Sequence, residues 1–300
     1  MKKYLIAILV LSLFIVSGIA GCPSQQQKAA ESAGLEVSFV NDAPPVSVSV
    51  NQEFPIYADI LNKGGDFINA GDAKFYLSGV GSNLEGVKSS QTNERSLSKQ
   101  SPSPDRIVLA DRAKFTFPIE TVYTLPLLLT SCYSYGTTAQ VTLCMSAKND
   151  STVCSVSGEK ITPPSNLVAP VQVTSLKEEL TGNKLNVLFT IANKLSGQVY
   201  LKDSDCDKIQ ARTDIAESFK QNKVNIEIRM PDKEKSGFAC HLMSASSPYV
   251  PQDSLSGTAS LGTVQCEKTL AGNENYVMPF TIVMRYRYID SVSKSINIVP

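Results

Sequence analysis

The hydrophobic and polar positions of this chain alternate with a period of two in short runs. The runs occupy residues 35–40, 46–50, 54–61, 73–77, 114–117, 123–129 and 139–143, and Gly, Asn or Pro separates many of them. Alternation of this length between turn-forming residues is typical of half-buried β-strands. A long helical period is absent from the sequence, and the best helix candidate is the short segment 213–220, with Thr213 as its N-cap. The pattern therefore predicts an all-β protein built from β-sandwiches.

Two markers occur in the same order in each half of the chain. A predicted strand ends in Asn62-Lys63 in the first half and in Asn193-Lys194 in the second, and a turn follows both. Further along, each half has a Tyr-x-Tyr motif, at residues 133–135 and 286–288. A repeated order of markers indicates a duplicated domain. With Pro163-Pro164 as the boundary, the sequence predicts one sandwich over 35–162 and a second over 163–300.

The two tyrosines of each motif lie on one face of a predicted strand, because strand side chains alternate. Such a pair either lines a sugar-binding groove or buries its rings and directs its hydroxyls to the rim or to the backbone. We favour the second interpretation, since buried tyrosine hydroxyls usually find a hydrogen-bond partner.

The N-terminus has the organisation of an export signal. Lys2 and Lys3 precede an apolar run over 4–19, and residues 19–22 read Ile-Ala-Gly-Cys. This order predicts a signal peptide over 1–21. The alternative is an uncleaved anchor helix, although the run is slightly shorter than the roughly 20 residues that a spanning helix needs. Residues 22–34 are small and polar and predict a flexible tether.

Residues 19–22 resemble the lipobox of a lipoprotein signal peptide, and the resemblance implies cleavage before Cys22 and a lipid on the sulfur and amine of that residue. The rest of the chain resembles uncharacterised exported lipoproteins of archaea that contain tandem immunoglobulin-like modules. The motifs that carry this resemblance are Ala43-Pro44-Pro45, the Asn-Lys-Gly-Gly turn at 62–65, Cys-Tyr-Ser-Tyr at 132–135 with Cys144, and the C-terminal segment 286–298. It implies two immunoglobulin-like β-sandwiches outside the membrane, and it implies no activity.

Six cysteines remain once Cys22 is set aside, namely Cys132, Cys144, Cys154, Cys206, Cys240 and Cys266. An even number in an exported chain favours disulfides over a zinc site, which needs closely spaced pairs. We expect Cys144 to pair with Cys154 across a polar loop, and Cys206 to pair with Cys240. Elimination then pairs Cys132 with Cys266, whereas a different pairing within the first half leaves a free thiol.

Composition and motifs favour binding over catalysis. The chain has 28 basic and 28 acidic residues, so no net charge attracts nucleic acid. Asp203, Asp205 and Asp207 have calcium-loop spacing but lack the glycine and the final glutamate of such a loop. His241 is the only histidine and adjoins Cys240, which a disulfide removes as a nucleophile. We therefore expect no enzyme, no cofactor and no metal.

The segment 82–105 is a long polar stretch between predicted strands and is the candidate recognition loop. Asn149 begins an Asn-Asp-Ser glycosylation sequon. Together these features predict a membrane-anchored envelope protein, facing outward, that binds another surface protein or a glycan. The alternative is a structural spacer or assembly component of the envelope with no specific soluble ligand.

Overall fold

The computed structural model describes residues 33–99, 104–149, 151–162, 165–243 and 251–300. The predicted signal peptide 1–21, the lipidation candidate Cys22 and most of the tether 22–34 lie outside the described residues. The boundary dipeptide at 163–164 also lies outside them.

The described residues form seventeen strands and three short helices. The strands are β1 (Leu35–Phe39), β2 (Ser47–Ser49), β3 (Glu53–Asn62), β4 (Ala73–Ser78), β5 (Leu84–Glu85), β6 (Ser90–Thr92), β7 (Asp105–Phe115), β8 (Tyr123–Ser146), β9 (Val171–Thr181), β10 (Lys184–Asn193), β11 (Gln198–Leu201), β12 (Lys223–Arg229), β13 (Phe238–Met243), β14 (Pro251–Ser254), β15 (Ser256–Ser260), β16 (Gly262–Thr269) and β17 (Asn275–Val299). The helices are α1 (Cys206–Ala211), α2 (Ile215–Ser218) and α3 (Asp232–Lys235). The prediction of an all-β protein is confirmed. The predicted helix 213–220 is shorter than expected and is capped by Asp214 rather than Thr213.

The strands form two sheets, and alternation explains which side chains enter the core. One sheet has the order β1-β3-β7-β5, and the other runs β6-β4-β8-β17-β12-β15-β13-β16-β10-β9, with β2 and β11 on β17 and β14 on β13. In β3 every second residue from Phe54 to Ile60 is buried. These side chains join one apolar cluster with Leu127 and Leu129 of β8. Burial of one face of each strand is the main stabilising term.

Strands β8 and β17 form the longest pairing in the structure. They run antiparallel from Tyr123 opposite Ile298 to Ser146 opposite Asn275 without a shift in register. Strands of both predicted domains, 35–162 and 163–300, therefore share one sheet, and the division into domains remains a prediction.

The two Tyr-x-Tyr motifs lie opposite each other in this pairing. Tyr133 faces Tyr288 and Tyr135 faces Tyr286, and the ring centroids are 5.8 Å and 6.4 Å apart. All four rings are buried. Tyr133 accepts a hydrogen bond from the backbone N–H of Leu35 at 3.2 Å, and Tyr286 accepts one from Val171 at 3.3 Å. The interpretation of the tyrosines as structural residues is confirmed.

The second tyrosine of each motif closes the Asn-Lys turn of its own half. Tyr135 donates to Asn62 Oδ1 at 3.0 Å and accepts from the N–H of Asp66 at 3.3 Å, while Asn62 donates from Nδ2 to the Asp66 carbonyl at 2.6 Å. In the second half, Tyr288 donates to Asn193 Oδ1 at 3.2 Å and accepts from the N–H of Gly197 at 2.9 Å, while Asn193 donates from Nδ2 to the Gly197 carbonyl at 2.6 Å. The repeated markers of the sequence are therefore one hydrogen-bond network built twice.

Burial raises the pKa of Tyr288 to about 12. The hydroxyl therefore stays protonated at neutral pH and keeps its donor role toward Asn193. The turn also packs closely against the tyrosine, because a side chain in place of Gly197 would put its Cβ into the Tyr288 ring.

Two of the three disulfide pairings expected from the sequence are wrong. Cys144 bonds to Cys154 as predicted, with Cα atoms 5.6 Å apart. Cys240 bonds to Cys266 rather than to Cys206, because these two residues lie directly opposite each other on β13 and β16. Cys132 bonds to Cys206 rather than to Cys266, which ties α1 to β8. Order along the chain does not reveal which strands become neighbours, so elimination chose the wrong partners.

We expect Tyr135→Phe and Tyr288→Phe to lower the free energy of unfolding by similar amounts, about 1–3 kcal/mol each. Each change removes two hydrogen bonds and leaves a backbone N–H and an asparagine oxygen without the tyrosine, with Asn62 buried and Asn193 half-buried. Denaturant unfolding followed by circular dichroism measures the loss. Tyr123→Phe is the control, because its side chain is exposed. An equal loss in the control, or a loss in only one of the two variants, would contradict the repeated network.

Candidate functional site

A groove of about 960 Å³ lies on the large sheet, on the face opposite to the buried tyrosine rings. Its floor comes from β8, β11 and β17, and its wall comes from α1, α2 and their flanking turns. Its lining includes Thr130, Lys208, Arg212, Asp214, Ile215 and Asp290. A concave site with mixed apolar and polar groups is the default candidate for ligand binding.

The wall is an excursion of the chain over residues 202–222, between β11 and β12. Asp205 caps α1 by accepting from the N–H groups of Asp207 and Lys208, at 2.9 and 3.4 Å. The helix ends at Arg212, whose backbone is left-handed with φ 53°. Asp214 then caps α2 by accepting from the N–H of Ala216 at 2.8 Å. Aspartate is a favoured N-cap residue, so an aspartate at the start of each helix explains why this segment forms helices between two strands.

The excursion is fastened to the sheet by the disulfide between Cys132 and Cys206. The two cysteines and Tyr76 are buried and pack with Ile289 as a small apolar cluster, separate from the main core. Arg287 adds a hydrogen bond from Nε to the carbonyl of Ser204 at 3.1 Å. The wall of the groove is therefore fixed to both β8 and β17.

A polar contact beside the disulfide fixes the excursion to β4. Asp207 accepts from the Lys74 ammonium and from the Tyr76 hydroxyl, both at 2.7 Å. The Lys74 ammonium, followed by the Tyr76 hydroxyl, lowers the pKa of Asp207, so this carboxyl is ionised at neutral pH. Burial, followed by the hydrogen bond to Asp207, raises the pKa of Tyr76, so its hydroxyl remains a donor.

The three aspartates with calcium-loop spacing have separate partners. Asp205 caps a helix, Asp207 pairs with Lys74, and Asp203 pairs with Lys220 at 3.3 Å. In the part of the chain that the structure describes, no three His, Cys, Asp or Glu side chains converge on a point where a metal could bind.

The groove combines hydroxyl, amide, charged and apolar groups. Thr130 and Ser291 place their hydroxyls 3.0 Å apart on its floor. Lys208 and Asp214 pair with each other at 3.1 Å, whereas Arg212 has no ion-pair partner among the described residues. Ile215 is 78% exposed, so an apolar side chain stands open at the rim. The arrangement suits recognition of a ligand by several weak contacts.

A second cavity, of about 150 Å³, adjoins the groove. It is lined by Leu35, Glu36 and Val37 of β1, by Ser131, and by Asp290, Ser291 and Val292 of β17. Asp290 and Ser291 line both cavities. Glu36 already pairs with Lys63, and Asp290 has no cationic partner within the described ranges.

The predicted recognition loop 82–105 is not one open loop. It contains β5 and β6, and Asn93 is buried with hydrogen bonds to Ala73, Asn69 and Arg95. Leu97 is also buried and pairs with Ile68. The polar composition concealed this packing, because a buried asparagine, rather than an apolar side chain, joins the segment to Asn69 and Ala73. Residues 100–103 of this segment lie outside the described residues.

The remaining candidate residues lie away from the groove. Asn149 is exposed just after the end of β8. His241 is exposed on β13, next to Cys240 and its disulfide. Sequence reasoning missed the groove itself, although it singled out the aspartate-rich turn and the short helix that build the wall.

Neither the models of known protein families nor the curated protein sequences match this chain. Among the described residues, no helix has the length and apolar character needed to cross a membrane. The disulfides are typical of proteins that fold in an oxidising compartment.

Replacing Cys132 and Cys206 together by serine should free the wall of the groove. The disulfide closes a separation of 74 residues, so its loss should cost roughly 4 kcal/mol on the loop-entropy relation. Hydrogen exchange at residues 203–221 should accelerate more than exchange in β12. The control is the double serine variant of Cys144 and Cys154, which loses a disulfide far from the groove. If both variants accelerate hydrogen exchange at residues 203–221 equally, the disulfide between Cys132 and Cys206 is not what holds the wall in place.

Proposed function

We propose that this chain is an exported envelope protein, held at the membrane by a lipid on Cys22, that binds a partner on the cell surface through the groove. One observation carries the proposal. In a fold made mostly of strands, two short helices, fastened by a disulfide and an ion pair, form the wall of an open groove of about 960 Å³. A spacer would not need this groove. The partner is a protein or a glycan, since the lining offers hydroxyl, amide and charged contacts.

Export and anchoring are supported by the N-terminal sequence and by the three disulfides. Lipid on Cys22 would join residues 23–32 to the membrane, and the sheets would stand beyond that tether. One acyl chain alone holds a protein only marginally, so stable attachment requires a second chain or a retained helix. The immunoglobulin-like character and the archaeal source remain part of this proposal.

The groove favours binding over catalysis. Its lining contains neither His241 nor a cysteine. Its charged side chains are partly neutralised in pairs, as with Lys208 and Asp214. A pair of this kind orients a ligand but supplies no activated nucleophile.

A structural spacer is the second candidate, and the pairing of β8 with β17 favours it. The two strands form a continuous antiparallel ribbon of 24 paired positions. Such a ribbon would hold the two halves of the chain in fixed relation. The two candidates differ in whether the groove has an occupant.

Cys22→Ser should move the protein from the membrane fraction to the soluble fraction if lipid is the anchor. Immunoblotting of fractionated cells measures the distribution. Ser24→Ala is the matched control, because it changes a neighbouring small residue and keeps the cysteine. A Cys22→Ser protein that stays with the membrane would show that residues 4–19 persist as an anchor helix.

Cross-linking in intact cells tests the groove. Lys208 lies in its lining, and we expect it to cross-link to one recurring partner identified by mass spectrometry. The double variant Arg212→Glu and Ile215→Glu should abolish that link, because it replaces an unpaired cation and an exposed apolar side chain at the rim.

Val277→Glu is the control for this experiment, since Val277 is 50% exposed on β17 and lies outside the groove lining. Links scattered over many neighbours, unchanged in the double variant, would favour the spacer. A recurring link from Lys88 instead of Lys208 would restore the segment 82–105 as the recognition site.

A further inference from the structure

One edge of β17 lacks a neighbouring strand over seven residues. On the side away from β8, residues 281–285 pair with β12, residues 286–289 with β11, and residues 297–299 with β2. Between Asp290 and Ile296 no described strand pairs with this edge. The gap is about 23 Å long at roughly 3.3 Å per residue. An unpaired edge is a template for another extended chain.

Two contacts show which backbone groups point into the gap. The N–H of Asn297 donates to the Val46 carbonyl on the β2 side, at 2.9 Å. The carbonyl of Asp290 accepts from Ser131 Oγ on the β8 side, at 3.3 Å. Because the direction alternates along a strand, the N–H and C=O groups of residues 291, 293 and 295 face the gap.

All three of these residues are serines with exposed side chains. Natural edges are often protected by lysine, proline or a bulge, whereas small serines leave the backbone accessible. Lys294 lies in the same segment, but its ammonium donates to the Val40 carbonyl at 3.2 Å. The N–H groups of Ser293 and Ser295 have no hydrogen-bond acceptor in the described ranges.

The Asp290 end of the gap carries an uncompensated negative charge. Asp290 Oδ1 accepts from the N–H of Ser291 at 2.9 Å, so the carboxylate lies at the edge itself. It borders the cavity of about 150 Å³, whose other carboxylate, Glu36, is neutralised by Lys63. A cavity of that volume can hold one lysine or arginine side chain, and the charge of Asp290 would attract it.

We propose that an extended peptide of a partner protein adds as a strand to β17 at residues 290–296, hydrogen-bonds to Ser293 and Ser295, and places a lysine or arginine beside Asp290. Alternate side chains of this peptide would face the groove on one side of the sheet and the small cavity on the other. The inference rests on the proposed binding function and narrows its partner from a protein or glycan to a peptide strand.

A phage-displayed library of random seven-residue peptides tests this on the detergent-solubilised full chain. We expect selected peptides to share alternating polar and β-branched residues and a lysine or arginine at a fixed position. Ser293→Pro should weaken their binding by about fivefold or more, because proline removes the N–H at the edge. Ser293→Ala keeps that N–H and should bind as the wild type does. Unfolding curves establish that both variants are folded.

The charge is tested by Asp290→Asn, which keeps an oxygen for the N–H of Ser291. It should weaken peptides with the cation by about fivefold and leave their lysine-to-alanine versions unchanged. Equal enrichment on wild-type and Ser293→Pro protein would overturn strand addition. Dimers formed by the wild type and not by Ser293→Pro would overturn the peptide as occupant in favour of a second copy. Failure here with an intact groove cross-link would leave the proposed function standing, with a protein partner that binds through the groove and not as an added strand.

Discussion

The antiparallel pairing of β8 with β17 is the constraint on which the rest of the structure depends. It brings the four tyrosines together at its centre, and burial of their rings obliges each hydroxyl to find a partner. The hydroxyl of Tyr133 accepts a hydrogen bond from the N–H of Leu35, near the start of the first half, and the hydroxyl of Tyr286 accepts one from the N–H of Val171, near the start of the second. The other two close the Asn-Lys turns. The inner face of one ribbon thus fixes β1, β9 and both turns.

The outer face of the same ribbon builds the groove. Alternation places Thr130, Cys132 and Ile289 on that face, opposite to the tyrosines. Cys132 then fastens α1 above it, and Ser291 supplies a hydroxyl at the point where β17 loses its neighbouring strand. The groove, the small cavity and the open edge therefore meet at Asp290 and Ser291.

The sequence predicts the strands well, because they depend on local pattern, and a period of two identifies strands such as β3. The Asn-Lys and Tyr-x-Tyr markers indicate a duplication, but the hydrogen bonds that join them were not predicted, because they connect residues as far apart as Asn62 and Tyr135. Register and strand order depend on contacts between residues more than a hundred positions apart, as between Tyr135 and Tyr286, and no local pattern encodes them. The disulfide errors also come from strand order, since Cys240 meets Cys266, 26 residues further along the chain, only once β13 lies beside β16. The groove was missed for the same reason, because its floor and wall come from separate parts of the chain.

Energetics distinguish the excursion at 202–222 from the rest of the fold. Ordering a backbone costs about 1–2 kcal/mol per residue, and burial in a core normally offsets that cost. In α1 and α2 only Cys206 and Glu217 are buried, and Cys206 belongs to a small cluster apart from the main core. The disulfide, the two aspartate caps and the pair of Asp207 with Lys74 supply the stabilisation that apolar burial does not. The segment is thus held by specific contacts rather than by an apolar core of its own. What it adds to the fold besides those contacts is the wall of the groove, and this is the argument for an occupant of the groove.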